Sequence, residues 1–354
     1  MELKILFISH NFSPFIGGIE VISEVLANSF VRKGHKVHLL TWSKDNSGKT
    51  YPYKVIRDPN VITLFKEHRW ADVVFENNPC LRLSWPRLFF KKPSVISLQT
   101  WVSRINGSIS LKDKIKLKWL KKANKVISCS TAIRNRCFPE SVVIQNPYRE
   151  NIFHIKPEIS RDKEFIFLGR MVSDKGAELA IKAFSKFFHD KKNSPDLKLT
   201  MVGDGPERKY LEKLVDNFKL NNSVKFTGPL CGEQLVSCLN EHKFLLVPSV
   251  WEEPFGVVVL EGMACGCIPI VSDGGGLPEA IGNGGLIFKR GNLDHLYDCM
   301  QNVIGNRLLQ EQYRSQAENH LMRHRSSIIA QKYIEVIEYT FKNYQLTNFQ
   351  EISI

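Results

Sequence analysis

The sequence predicts an α/β protein built from two doubly wound, parallel-sheet domains in series, and three observations carry that expectation. The chain is 354 residues long, more than one hydrophobic core usually supports. Short β-type runs alternate with amphipathic helical stretches in both halves, the pattern of parallel sheets made with right-handed crossovers. The alternation lapses once, in a polar segment around the middle of the chain.

In the first half the strands are expected at Lys4–Ser9, Lys36–Thr41, Val73–Phe75, Ser94–Leu98, Lys125–Ser128 and Val142–Ile144, with amphipathic helices such as Val21–Arg32 and Leu111–Lys122 between them. This gives a first domain over residues 1–150, followed by a linker over 151–163. A second series follows, with strands at Glu164–Leu168, Leu197–Val202, Val224–Phe226, Phe244–Val247, Ile268–Val271 and Gly285–Phe288. Its helices fit Gly176–Phe188, Glu207–Phe218, Gly232–Asn240, Val257–Cys265 and Asn292–Val303, for a second domain over 164–325. The last helical stretch, about Ser326 to Tyr344 within residues 326–354, is long enough to reach back to the first domain. In such folds ligands bind outside the carboxyl ends of the strands, so the strand-end loops are the places to look for chemistry.

Composition narrows the class. The apolar fraction of 43% and the charged fraction of 24% are those of a globular protein. The opening apolar run, Ile5 to Ile8, is too short for a signal-peptide core. The longest apolar stretch, Phe255 to Val271, contains Glu261, glycines and a proline, so no membrane span is expected. The eight cysteines include no C-x-x-C pair and mostly sit in apolar runs, which favours reduced structural thiols in the cytoplasm. No spacing of Cys and His matches a metal site. The net charge of +13 is uneven: residues 1–150 hold 25 Lys+Arg against 11 Asp+Glu, or +14, and the remainder 24 against 25, or −1. Such asymmetry reports on a partner.

Four strand-end loops stand out. Pro14-Phe15-Ile16-Gly17-Gly18-Ile19-Glu20 places two glycines, Gly17 and Gly18, before the first helix. Backbone N–H groups there can approach an anion, or the loop is simply a tight turn. Gly169-Arg170-Met171-Val172-Ser173-Asp174-Lys175-Gly176 sets two cations, Arg170 and Lys175, beside a strand end, where a diphosphate leaving group would need them. The plainer alternative is two solvated basic residues. Gly203-Asp204-Gly205-Pro206 is first of all a turn signal. The fourth loop runs Glu252-Glu253-Pro254-Phe255-Gly256-Val257 and continues through Val258 and Glu261 to Gly266. A helix starting near Val257 would point its first N–H groups at a ligand. Glu261 then falls in its second turn within an apolar run, where an unpaired carboxylate is costly.

The E-x7-E spacing from Glu253 to Glu261, with Pro-Phe-Gly inside it, resembles the signature of the retaining family-four glycosyltransferases (glycosyl transferases group 1). The Gly17-Gly18-Ile19-Glu20, Gly169-Arg170, Asp174-Lys175-Gly176 and Gly203-Asp204-Gly205-Pro206 segments resemble that family's other landmarks in the expected order, as do Ala71-Asp72-Val73-Val74 and Val143-Ile144-Gln145-Asn146-Pro147. The resemblance covers nearly the whole chain, to about residue 320. It implies the GT-B fold, two Rossmann-like domains facing a central cleft. It also implies roles. Arg170 and Lys175 would bind the nucleotide diphosphate, with backbone amides of Phe255, Gly256 and Val257 and of Gly18. Glu261 would hold the ribose hydroxyls, Glu253 the donor sugar, and Gly203 and Asp204 would flank the nucleotide. One departure stands where many members carry a His: this chain has Gln99, which hydrogen-bonds but cannot titrate.

The mechanism the resemblance implies is front-face transfer with retention from a UDP- or GDP-sugar to a hydroxyl of a glycan or lipid-linked acceptor, giving an α-glycoside for cell-surface polysaccharide or lipopolysaccharide. No D-x-D motif is present, so no metal and no cofactor are expected, and cationic side chains and helix dipoles would neutralise the leaving group. Two alternatives remain: a GT-B-shaped nucleotide-sugar epimerase, and a non-catalytic nucleotide-sugar binder. For the acceptor side, Lys112, Lys114, Lys116, Lys118, Lys121 and Lys122 interleave with Leu111, Ile115 and Trp119 at helical spacing. Peripheral contact with an anionic membrane is expected there, against the alternative of a surface helix packing its apolar face inward. No nucleic-acid-binding module is recognisable.

Overall fold

A computed structural model describes residues 1–15, 17–45, 48–103, 107–190 and 196–352, with side chains to Thr347. Ile16, within the first glycine loop, lies outside the described residues. The chain divides into two compact units, Met1–Pro147 with Ser326–Ile354, and Tyr148–Arg325.

The first unit runs β1 (Lys4–Ile8), α1 (Gly18–Arg32), β2 (Lys36–Thr41), β3 (Lys54–Arg57), α2 (Val61–Trp70), β4 (Val73–Asn77) and α3 (Leu81–Ser84). It continues through β5 (Ser94–Leu98), α4 (Leu111–Leu120), β6 (Lys125–Ser128), α5 (Thr131–Cys137) and β7 (Val142–Val143). The second unit runs β8 (Lys163–Leu168), α6 (Ala177–His189), β9 (Leu199–Val202), α7 (Arg208–Asn217), β10 (Val224–Gly228), α8 (Gly232–Asn240) and β11 (His242–Val247). It closes with α9 (Val257–Ala264), β12 (Ile268–Ser272), α10 (Leu277–Ile281), β13 (Leu286–Phe288), α11 (Leu293–Ile304) and α12 (Arg307–Arg323). A final helix, α13 (Ser326–Ile352), returns to the first unit.

Both sheets are parallel throughout, ordered β3-β2-β1-β4-β5-β6-β7 and β10-β9-β8-β11-β12-β13 among the described residues. Each order reverses direction once, between β1 and β4 and between β8 and β11. In doubly wound sheets these reversals are where ligands bind. The central strands are apolar on both faces, because helices cover both faces of such a sheet. In the first unit Phe7, Phe30 and Phe75 interlock, with Phe7 and Phe75 centroids 4.9 Å apart. Tyr333 of α13 packs on Phe75 at 5.8 Å. In the second, Phe165 is surrounded by Phe184, Phe187 and Phe244. Each such buried ring contributes about 1.5–3 kcal/mol relative to exposure.

The expected strands are present, and β3 adds one that the sequence pattern did not reveal. It is a four-residue edge strand, half-buried and partly polar, too short to show alternation. Residues 151–163 pack within the second unit rather than apart from it. Lys156 N–H donates to Asn240 Oδ1 at 2.8 Å, and Arg161 donates to the carbonyls of Leu239, His242 and Cys265 at 3.3, 2.5 and 2.6 Å. Polarity marks this segment as loop, but its hydrogen bonds satisfy buried carbonyls. The eight cysteines are free, and all but Cys231 are buried. No helix among the described residues is long and apolar enough to cross a membrane.

Candidate functional site

The loops after β8 and β11 meet at the reversal of the second sheet. Gly176 closes the β8 loop with φ +70°, and a Cβ there would lie 1.9 Å from the Pro248 carbonyl oxygen, so only glycine fits. The N–H groups of Val250 and Trp251 both donate to the Asp174 carbonyl, at 3.0 and 3.2 Å. This clamp brings Lys175 and Glu253, 78 residues apart in sequence, into an ion pair with Nζ and Oε1 at 2.5 Å. Ser249 Oγ donates to the same carboxylate oxygen at 2.6 Å, and the Lys175 ammonium lies 5.5 Å from the Trp251 ring centroid. Glu253 is buried, and its carbonyl accepts from Gly276 N–H at 2.7 Å, fixing the loop against the turn after β12.

Arg170 differs. It is exposed, and its guanidinium has no protein partner among the described residues. A cation free of partners beside a buried ion pair at a strand end is suited to an anion, since its charge is not already neutralised. The β9 loop locks onto the same backbone. Met171 N–H donates to the Asp204 carbonyl at 2.9 Å and Glu207 N–H to the Met171 carbonyl at 3.1 Å. Gly203, at φ +129°, would place a Cβ 2.0 Å from the Gly169 carbonyl. Asp204 is exposed and its side chain accepts from Gly205 N–H at 2.8 Å, so it shapes the turn that the sequence suggests.

Gly256, at φ +107°, begins α9 with no side-chain cap; Val259 N–H donates to the Gly256 carbonyl at 3.0 Å, and the N–H groups before it, beside Phe255, Gly256 and Val257, are left for an external acceptor. A Cβ on Gly256 would fall 2.5 Å from Leu277. Phe255 is buried against His324, with ring centroids 5.7 Å apart. Glu261 lies in the second turn of α9, as expected. Burial pushes its carboxyl pKa above the usual range, opposed by Arg149, whose Nη2 donates to Oε1 at 3.1 Å. The sequence reading missed Arg149 and Ser249, since partners 112 and 4 residues distant carry no spacing signal of their own.

In the first unit, Gly17 is extended at φ −168° and the Glu20 carboxylate folds over it, 2.4 Å from where a Cβ would be. Around Gly18 that space is open. Gln99 is buried: its Nε2 donates to Ser97 Oγ at 2.9 Å and to Tyr333 OH at 3.3 Å, and its Oε1 is left without a partner. At the reversal of this sheet His10 Nδ1 lies 3.6 Å from Cys80 Sγ, and burial, Arg82 and Lys116 lower the histidine's pKa.

The apolar face of α4 splits. Trp119 is buried, donating to Glu76 Oε1 at 3.0 Å beneath the Arg87 guanidinium. Leu111 and Ile115 are 74% and 46% exposed. The inward-packing alternative therefore describes only the last turn. Lys112, Lys114, Lys118, Lys121 and Lys122 are exposed and Lys116 half-buried, while Asp113 closes a capping box with Ser110.

Among the described residues, Cys238, Glu241 and His242 place potential metal-ligand atoms within 4.8 Å of one another. Both ring nitrogens of His242 are already hydrogen-bonded, to the Cys238 carbonyl at 2.6 Å and Thr200 Oγ1 at 2.7 Å. Its pKa is lowered to about 4 by burial. The cluster lies at the start of β11, away from the strand ends that carry Lys175 and Glu253.

Residues 149–320, nearly all of the second unit, match the family model "Glycosyl transferases group 1". The chain carries a glycosyl transferases group 1 domain. It is 26% identical over 336 residues to an uncharacterised glycosyltransferase of Methanocaldococcus jannaschii, covering 79% of this chain and 83% of that one. It is 24% identical over 335 residues to the phosphatidylinositol N-acetylglucosaminyltransferase gpi3 subunit of Schizosaccharomyces pombe, covering 84% and 72%. Among solved structures, Anabaena HepE in complex with UDP and glucose superposes with a TM-score of 0.80 at 19% identity, over 95% of this chain and 100% of that one. The likeness to solved structures shows the fold, GT-B, and the second unit carries the match to the group 1 glycosyl transferases.

Proposed function

We propose that this glycosyltransferase is a retaining, metal-independent enzyme that moves a sugar from a UDP- or GDP-sugar held by the second unit to a hydroxyl of a glycan or lipid-linked acceptor held by the first. The observation that carries the reading is the clamp at the β8–β11 reversal, which pairs Lys175 of the β8 loop, the loop that also carries the partner-free Arg170, with Glu253 of the loop that opens the uncapped α9. Arg170 and Lys175 neutralise the diphosphate, assisted by the amides at Phe255–Val257. Glu253 receives the sugar's hydroxyls and Glu261 those of the ribose. The sugar's C1–O bond to the diphosphate breaks, the acceptor oxygen bonds C1 on the same face, and the acceptor proton passes to the departing phosphate oxygen. An α-linked donor then gives an α-glycoside, and the reaction we propose is a step of cell-surface polysaccharide or lipopolysaccharide synthesis.

Cations and dipoles suffice electrostatically. Two unit charges 4 Å apart interact by about 4 kcal/mol at an effective dielectric near 20, and removing one positioned donor costs roughly 10²–10³ in rate. The exposed lysines of α4, with Leu111 and Ile115 exposed between them, support peripheral attachment to an anionic bilayer at the cytoplasmic face. The S. pombe relative, named for transfer to phosphatidylinositol, supports a lipid-linked acceptor. The test is release of nucleoside diphosphate from a panel of UDP- and GDP-sugars with and without acceptors. Acceptor-dependent release and an α-linked product are expected. Interconversion of free nucleotide sugars without release would favour the epimerase, and binding without either reaction the non-catalytic binder.

A further inference from the structure

Glu261 sits where a carboxylate does not keep its charge unaided. It occupies α9 among Val259, Leu260, Gly262 and Met263, all buried, with 12% of its own side chain exposed. A protonated acid there presents an O–H donor. Ribose hydroxyls are bound better by an ionised carboxylate, which only accepts and offers about four lone-pair positions.

Arg149 supplies the missing charge, and it is built to do so. Its carbonyl accepts from the N–H groups of Ile152 and Phe153, each at 2.9 Å, and its guanidinium lies 5.0 Å from the Phe153 ring centroid. Its Nε is buried with no partner. A stranded buried donor is unfavourable, and a methionine would fill the same space without one. Packing alone therefore gives no reason for arginine at this position; the 3.1 Å bond from Nη2 to Glu261 Oε1 does.

We propose that Arg149 is a positioning residue for the donor's ribose: its single hydrogen bond to Oε1 keeps Glu261 ionised and oriented, leaving Oε2 and the remaining lone pairs to accept two ribose hydroxyls. The proposal rests on the donor-site reading above. The other titratable groups on elements packed against α9 do not substitute for it. Cys265, one turn on, is held neutral by burial, which pushes its thiol far up. From the α10 and α12 side come Glu279, Arg314, His320 and His324. Arg314 points to the Gly266 carbonyl and His320 to that of Ala280, and burial lowers the pKa of His320. Arg149 is the charged group that acts on Glu261.

The test is calorimetric binding of UDP and GDP, and of their 2′,3′-dideoxy counterparts, between about pH 6 and 8.5. Wild type should prefer the ribo form of the better nucleotide, with only the shallow slope that the terminal phosphate, whose second pKa is about 6, gives ribo and dideoxy forms alike. Because binding needs the ionised form of a group whose pKa is raised, removing the cation should cost affinity as pH falls. Arg149→Met should bind the ribonucleotide at least about tenfold more weakly at the low end than at the high end, a difference of ~1.4 kcal/mol. The dideoxy nucleotide should show no such slope. Arg149→Lys should restore the wild-type profile, and adding Glu261→Gln to Arg149→Met should abolish the extra slope. If Arg149→Met does not fold, Arg149→Gln carries the same test. Arg149 variants whose profile runs parallel to wild type overturn the proposal, as does a Glu261→Gln variant that keeps the ribose preference. If wild type binds neither nucleotide, the donor-site reading itself fails.

Discussion

Arg170→Ala and Lys175→Ala should damage turnover alike but stability differently. Arg170 is exposed and partner-free among the described residues, so its loss should remove the proposed diphosphate contact and nothing from the fold. Lys175 holds Glu253 at 2.5 Å with side-chain exposures of only 21% and 11%. Without it the buried carboxylate keeps Ser249 as its side-chain donor, and water replaces the ammonium incompletely. The cost of such a stranded group is about 1–3 kcal/mol. For a domain the size of the second unit that corresponds to roughly 2–10 °C in its Tm. Turnover should fall by roughly 10²–10³ in both variants. Nucleoside diphosphate release at saturating donor measures the first effect, and calorimetric melting of the second unit's transition the second. Near-wild-type turnover in both would refute the donor assignment. Equal destabilisation by the two would refute the claim that one cation is structural as well as functional.

Glu253→Gln should impair sugar transfer more than nucleotide binding, and Glu261→Ala should weaken binding of the free nucleoside diphosphate; titrating the diphosphate into both variants distinguishes them, and the opposite pattern exchanges the roles. Activity should persist in excess EDTA, and complete loss restored by Mg²⁺ or Mn²⁺ would contradict leaving-group stabilisation by Arg170 and Lys175. The protein should co-sediment with anionic but not neutral liposomes and be released by salt. Changing Lys114, Lys118, Lys121 and Lys122 together to Glu should abolish this, each lysine contributing about 1 kcal/mol. Leu111→Ser with Ile115→Ser should weaken it while leaving the salt dependence intact. Failure of wild type to bind anionic vesicles at low salt would leave a soluble saccharide as the better acceptor.

The sequence by itself determined the class and order of the fold. Apolar runs such as Phe165–Phe167 and Leu245–Val247, bounded by turn residues, read as central strands of covered sheets, and Gly169 and Pro248 stand where those strands end. It also pointed to the loops of the proposed site, because Arg170, Lys175, Glu253 and Glu261 are local to the strand ends. What it could not determine is which charge neutralises which. Lys175 with Glu253 and Arg149 with Glu261 are separated by 78 and 112 residues, and only the tertiary fold of the second unit brings them together; the neutral pair Gln99 and Tyr333, 234 residues apart, is joined by the return of α13. Helical periodicity likewise put Leu111, Ile115 and Trp119 on one face of α4 without fixing what that face meets. The tertiary structure decided this, because Glu76 and Arg87 lie beneath the last turn alone and cover Trp119. The first turn is left with its leucine, its isoleucine and its lysines exposed.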